Sequence, residues 1–311
     1  MPKNRSIPPE GLLPAGSLTL SQLQDALEHG TVLEAMVQRC DTAHDLHLQL
    51  GPVHGIMPRE EVSAPWISGA GREISVLSRV GKQICFTVTS LISDEKGAPA
   101  AILSRKIVQE QAMGDLLSTL VPGDLLTCKV TRLESFGVFL DIGRGIIALL
   151  PLEAISVSRI THPKIRFREG QVIPAVVSAI DPVHHRITLT HKELLGTWLE
   201  NASRFSPGET VRGTVRSIHE YGSFIELTPN LSGLTDATEN LSPGDDVTVY
   251  IKSIQPERMK IKLQIIQRLG PETVPRPLSY QRTEGRLDRW CYSPEGCQRA
   301  PIVTDFTAPG L

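Results

Sequence analysis

The residues that could do chemistry in this chain are few, and most are arranged poorly for catalysis. Glu60-Glu61 and Asp245-Asp246 are adjacent carboxylates, which on a strand would point to opposite faces. His184-His185 has no third convergent ligand in view, so a plain exposed turn is favoured over a metal site. No phosphate-cradling glycine loop, nucleophile elbow or H-E-x-x-H motif occurs. Neither enzymatic activity nor a cofactor is expected. What remains is a pair of short aromatic elements, Phe136-Gly137-Val138-Phe139 and Tyr221-Gly222-Ser223-Phe224. Rings in such elements either pack into a core or stand exposed and stack on a planar partner. Aromatics make up only 5% of the chain, so each exposed one carries more weight.

The elements that must position these rings come in repeated units. The segments VPGDLLTCKVTRLESFGVFLDIG and SPGETVRGTVRSIHEYGSFIELTP lie over each other. Each opens with Pro-Gly and an acid, Pro122-Gly123-Asp124 and Pro207-Gly208-Glu209, and continues with an alternating run. Alternation of this kind is the signature of a half-buried strand. Next come the aromatic element, a Gly-led apolar segment (Gly145 to Pro151; Gly233-Leu234), a second Gly-led strand (from Gly170; from Gly244) and a closing strand. Five short strands in such a length predict a small antiparallel barrel. A weaker copy lies upstream, with strands from Thr31 to Cys40, His44 to Gly51, Gly55 to Pro58, Gly81 to Leu91 and Ala100 to Ser104. The fold class expected is mainly β: tandem five-stranded barrels with a short connecting helix.

The boundaries follow: a loose Pro- and Gly-containing tail over 1–28, a degenerate barrel at 29–112, barrels at 121–192 and 207–268, a helix at 193–206, and a loosely packed extension at 269–311. Leu194, Leu195, Trp198, Leu199, Ala202 and Phe205 recur at helical spacing. Trp198 is therefore expected in a core or interface. The Trp290 to Pro294 cluster packs back or meets a partner, two alternatives the sequence leaves open. No apolar run reaches the roughly 18 residues of a membrane span. Met1 to Gly16 lacks the apolar core of a secretory signal. The five cysteines (Cys40, Cys85, Cys128, Cys291, Cys297) form no C-x-x-C pair, and the first three are expected as small buried hydrophobes. An odd count without a leader points to a reducing cytoplasm.

The run FGVFLDIG…LLP…RITHP…EGQVIPAVVSAIDPVHHRITLTHKEL resembles the S1 RNA-binding domain of the OB-fold class. With HKELLGTW, LTPNLSGL and VYIKSIQPERMKIKL, the chain is similar to the short, Firmicutes-type form of the bacterial small-subunit ribosomal protein S1 family. The resemblance covers 30–268 and is specific over 121–268. It implies binding of single-stranded RNA, messenger RNA in particular, in translation at the small ribosomal subunit. An adaptor for protein partners with incidental RNA binding is the alternative. It also implies that Phe136 and Phe139, then Tyr221 and Phe224, face a nucleic-acid groove, each stacked base contributing about 1–3 kcal/mol. For both rings of a pair to face one side, the strand is expected to bend at its glycine. Where the family often has a third-strand His, this chain has Pro151 and Asp236. The family's closing Asp and Arg correspond to Asp181 and Arg186, then to Gln255 and Lys260.

Basic residues are the candidates to track the phosphates. In the middle module these are Lys129, Arg132, Arg159, Lys164, Arg166, Arg168 and Arg186. In the last they are Arg212, Arg216, Lys252, Arg258, Lys260 and Lys262. Charge alone does not mark a polyanion binder: the net charge is −2, and residues 1–120 hold 10 Lys and Arg against 13 Asp and Glu. In the upstream copy His44 and His47 occupy the aromatic positions. With that acid excess, a module that docks on protein rather than on RNA is favoured.

Overall fold

The computed structural model describes residues 7–13, 16–67, 73–93, 97–237, 240–272 and 277–307. Alternating burial along the strands builds three closed five-stranded barrels. Barrel 1 comprises β1 (Leu33–Cys40), β2 (Leu46–Gln49), β3 (His54–Met57), β4 (Gln83–Ser93) and β5 (Pro99–Ser104). Barrel 2 comprises β6 (Leu125–Glu134), β7 (Gly137–Asp141), β8 (Ile147–Pro151), β9 (Val172–Asp181) and β10 (Arg186–Thr190). Barrel 3 comprises β11 (Thr210–His219), β12 (Gly222–Thr228), β13 (Leu231–Thr235), β14 (Asp245–Gln255) and β15 (Lys260–Pro271). Pairing is antiparallel except for one parallel contact that closes each barrel, between the third and fifth strands. On β6, Leu126, Cys128 and Val130 point inward while Thr127 and Thr131 face out, as a period-2 pattern requires.

One device recurs in all three barrels. Gly81, Gly170 and Gly244 donate their backbone N–H to the carbonyls of Val37, Val130 and Val215 at 2.9, 2.8 and 2.7 Å. Their φ values of +76°, +81° and +95° suit glycine. Immediately after each valine the first strand bulges against the second, between Val37 and Arg39, Val130 and Arg132, and Val215 and Ser217. The extra residue sets which side chain returns to the outer face of the barrel.

The segments outside the barrels are packed. The expected tail over 1–28 includes helix α1 (Leu20–His29), whose Thr19–Gln22 capping box satisfies its first turn, and whose Leu23 and Ala26 enter the core of barrel 1. A helix that was not expected, α3 (Lys106–Thr119), follows barrel 1 and gives Ala112, Met113 and Leu116 to the core of barrel 2. The other α-helices among the described residues are the short α2 (Glu73–Leu77) and α4 (Trp198–Ala202). Trp198 is buried in the core of barrel 3, as its spacing predicted. The extension over 269–311 is not loose where described. Strand β15 runs to Pro271, β16 (Arg289–Cys291) pairs with β17 (Val303–Asp305), and Trp290 and Tyr292 join the core of barrel 3. Cys85 and Cys128 are buried, Cys40 only partly so, and all five cysteines are free.

Residues 7–11 run between barrels 1 and 2 and carry Glu10 into a buried site. Arg105 donates to both its carboxylate oxygens at 2.6 and 2.7 Å. The Cys85 N–H donates to it from β4, and the Glu10 N–H donates to Asp141 of barrel 2. Burial alone would raise the Glu10 carboxyl, but the Arg105 charge and hydrogen bonds overcome it and hold the group at about 2. A depressed carboxyl adds stability that is full above its ordinary value of 4.5 and is lost as pH falls toward 2. Removing one partner strands the other charge out of water. Arg105→Met is therefore expected to cost about 3–5 kcal/mol in urea unfolding, and Glu10→Gln in the same chain to recover part of that loss. Additive losses from the two substitutions would contradict this coupling.

Candidate nucleic-acid interface

The bulges place equivalent residues in a row across each barrel. In barrel 2, Arg132 pairs with Phe139, Phe139 with Leu149, and Leu149 with Thr188. In barrel 3 the row is Ser217, Phe224, Leu234 and Lys262. Barrel 1 repeats the register with Arg39, His47, Ile56 and Ile102. The second aromatic of each pair thus lies on the outer face because of register rather than composition.

The first aromatic reaches that face by a route different from the expected strand bend. Glu134 pairs with Gly137, and His219 with Gly222. Phe136 and Tyr221 therefore stand in two-residue hairpin turns before the strands begin. The bend lies in the neighbouring strand, at the bulge. The glycines are required for close approach: a Cβ on Gly137 would lie 2.5 Å from the Leu150 carbonyl oxygen, and one on Gly222 1.9 Å from that of Thr235.

Phe136, Tyr221 and Phe224 are exposed, while Phe139 is half-buried. Phe136 is 55% and Tyr221 65% exposed, and Phe224 is 36% exposed. Phe136 meets Phe139 edge-on at 5.9 Å between centroids, and Tyr221 meets Phe224 edge-on at 6.4 Å. Edge-on pairs prop one another without covering the flat faces of the first ring. Barrel 3 has a third ring that sequence reasoning missed: His219 stacks on Tyr221 at 5.1 Å and meets Phe224 edge-on at 5.7 Å. The two-residue turn was the signal, since it places His219 opposite Gly222.

The candidate cations divide sharply. Arg186 and Lys260 sit at the ends of the closing hairpins, opposite Asp181 and Gln255. Asp181 is occupied with its own turn, accepting from the N–H groups of Val183 and His184 and from the His184 ring. Those hydrogen bonds, led by the His184 N–H, lower its carboxyl. His185 is no plain turn residue, for its ring stacks at 4.7 Å on Trp66, which lies between β3 and β4 of barrel 1. Arg132 is exposed and pairs with Glu134, and Lys252 lies 3.8 Å from Asp236. Arg159, Lys164, Arg168 and Lys262 are exposed, Lys262 within the row of barrel 3. Arg212 pairs with Asp246 at 2.9 Å, and Arg258 lies in the short turn before β15.

Three of the expected phosphate contacts are corrected. Lys129 donates its ammonium to the Glu10 carbonyl at 2.8 Å and ties down the N-terminal segment. Arg166 is buried against Glu226 of barrel 3. Arg216 is buried as well, bonding Glu226 through both oxygens at 3.0 and 3.1 Å and Glu272 at 3.2 Å. Burial alone would raise Glu226, but Arg166 and Arg216 hold it below the usual carboxylate range. Arg166 thus joins barrel 2 to barrel 3, and Arg216 is committed to two carboxylates of its own barrel.

Barrel 1 lacks the aromatic platform. His47 is buried, its Nε2 2.8 Å from Asp41 and its Nδ1 2.8 Å from the His54 ring, on which it stacks. His44 adopts a left-handed φ of +68° in the turn. Among the described residues no cluster of three or more His, Cys, Asp or Glu could hold a metal ion, and no helix is long and apolar enough to cross a membrane.

Residues 120–192, which include barrel 2, match the family described as S1 RNA binding domain. The chain is 29% identical over 270 residues to the small ribosomal subunit protein bS1 of Staphylococcus aureus (strain COL), covering 82% of this chain and 66% of that one. It is 30% identical over 269 residues to the protein of the same name in Staphylococcus haemolyticus (strain JCSC1435), covering 81% and 65%. The chain thus spans just under two thirds of the length of these curated homologues. A solved structure from Streptococcus pneumoniae, described as a multidomain protein with nucleic acid binding domains, aligns with 76% of this chain and 73% of its own. The identity is 12% and the TM-score 0.25.

Two substitutions separate the ring from its support. Phe136→Ala removes an exposed ring and is expected to change unfolding free energy by no more than about 0.5 kcal/mol. Gly222→Ala drives a methyl into the Thr235 carbonyl and is expected to cost about 2 kcal/mol or more. Urea melts of the two variants check both values.

Proposed function

We propose that this chain binds single-stranded RNA, messenger RNA included, on the aromatic faces of barrels 2 and 3. It does so as a cytoplasmic, non-enzymatic protein supporting translation at the small ribosomal subunit. The observation that carries the reading is the recurrence, at the same register in two barrels, of an edge-propped ring pair whose first ring stands exposed. Unpaired bases offer flat faces to such rings, whereas bases in a duplex are already stacked. Stacking does not distinguish one base from another, so binding tolerates sequence. The homologues named small ribosomal subunit protein bS1 support the ribosomal setting.

The electrostatics set the strength. With Lys129, Arg166 and Arg216 committed to internal contacts and Arg132, Arg212 and Lys252 paired with acids, fewer cations displace counterions than the sequence suggests, and the salt dependence is correspondingly shallower. Two sites on one chain raise the apparent affinity through effective concentration. Barrel 1, with its buried His47 and the acid excess of its segment, takes a different part, in contact with protein.

Fluorescence anisotropy with a labelled single strand and the matching duplex tests the reading. Phe136→Ala together with Tyr221→Ala is expected to weaken single-strand binding about 30-fold or more, at about 1 kcal/mol or more per ring. Duplex binding should be weak throughout. Unchanged single-strand affinity in the double variant would remove the stacking surface. Co-sedimentation with ribosomes that survives both nuclease treatment and the double substitution would favour a protein adaptor instead.

A further inference from the structure

Between β8 and β9, barrel 2 extends a loop over residues 152–171 that reaches barrel 3. The Ser158 N–H donates to the Pro229 carbonyl and the Val157 N–H to the Asn230 side chain, at 3.1 and 2.9 Å. The hydroxyls of Ser158 and Ser232 lie 2.7 Å apart. Beyond this seam the two barrels part around a cleft of about 310 Å³. Arg159, Thr161 and Lys164 line the barrel 2 side, and Val215, Arg216 and Glu272 the barrel 3 side.

The charges at this cleft do not cancel. Arg166 and Arg216 are matched by Glu226 and Glu272, two cations against two anions. Arg159 and Lys164 are left over. Both are exposed, and neither has an ion pair among the described residues. A chain of net charge −2 thus concentrates positive charge where two barrels meet. The place is also specific in the fold. Val215 and Arg216 lie at the bulge of β11, and the next residue, Ser217, pairs with Phe224 in the ring-bearing row. The wall of the cleft and the ring-bearing row of barrel 3 are thus carried by consecutive residues of one strand.

We infer that this cleft binds a phosphodiester of the RNA strand where it crosses from barrel 2 to barrel 3. The inference rests on the RNA-binding reading above and adds the path of the strand. The chemistry fits a phosphate better than a base: the two free side chains are an ammonium and a guanidinium, Thr161 adds a hydroxyl, and no aromatic ring lines the walls. Arg216 is held by two carboxylates and so shapes the floor instead of grasping the ligand. The consequence is a length threshold. A strand confined to one barrel does not use the cleft, and a strand spanning both does.

The test compares RNA of about 6 nucleotides, within one barrel's site, with RNA of about 20, which spans two. Arg159→Gln with Lys164→Gln is expected to weaken the long strand about tenfold at low salt and the short strand far less. It should also flatten the long strand's log K against log salt slope by about 1.4, the value for two lost phosphate contacts on a single strand. Arg282→Gln, an exposed cation in the C-terminal extension, serves as the charge control and should shift neither. If Phe136→Ala with Tyr221→Ala weakens binding while the cleft variant leaves slope and length dependence intact, the cleft assignment falls and the RNA reading stands. An equal loss for both lengths also overturns it, since the cations would then serve one barrel alone. If the aromatic variant has no effect, the RNA reading itself fails.

Discussion

Glu226 is a carboxylate buried on β12, with Arg216 from its own barrel on one side and Arg166 from barrel 2 on the other. A carboxylate in such a place is tolerable only while its charge is matched and its oxygens are bonded. One of the two matching charges belongs to a different barrel. Rotating barrel 2 against barrel 3 would leave a buried charge unpaired, which costs several kcal/mol. Asn230 adds a second fastening of the same kind. Fully buried, it accepts from Val157 and donates to the Lys192 and Gly196 carbonyls, and its own carbonyl accepts from Tyr292. Barrel 2, the segment that connects the barrels, barrel 3 and the C-terminal extension all meet at that one residue. The relative placement of the two aromatic faces follows from these polar contacts, which tolerate far less sliding than apolar packing does.

The three barrels show how one backbone register can serve different ends. The glycine-to-valine bond and the bulge are the same in each, so the outer row is the same in each. What changes is the occupant of its second place: Phe139, Phe224 or His47. The phenylalanines project outward and lean on a neighbouring ring. His47 instead satisfies both ring nitrogens with Asp41 and His54 and sinks into the surface. A ring that can hydrogen-bond sideways need not stand in water.

Much of this was legible in the residues. Alternation, the Pro-Gly openings and the aromatic-Gly-x-Phe elements fixed the strands of barrels 2 and 3, and helical spacing placed Trp198 in a core. The unread parts depend on partners distant in sequence. Nothing local to Glu10 reveals that Arg105, 95 residues away, will hold it. Nothing local to Arg166 distinguishes it from Arg159 or Arg168, yet one is buried in an ion pair and the others face solvent. Basic residues in a loop look alike until tertiary structure selects among them. Helix α3 was a different kind of omission. Val108, Ala112, Met113 and Leu116 fall on one stripe and were readable, but Gly114 and Gln109 interrupt the apolar pattern. Gln109 turns out to be fully buried, bonding Ala64 and Gly145 across two barrels.

The stitching of late segments into earlier cores has a consequence for how the chain matures. Leu278 packs on the core of barrel 2, and Trp290 and Tyr292 complete that of barrel 3. During synthesis at about 5–20 residues per second, the strands of barrel 2 are all made by Thr190, yet its hydrophobic surface waits for a side chain nearly ninety residues later. Each repeat read from the sequence is thus a topological unit whose core is covered in part by side chains from later segments. The nascent barrels must persist with unfinished seams until the last segment emerges to close them.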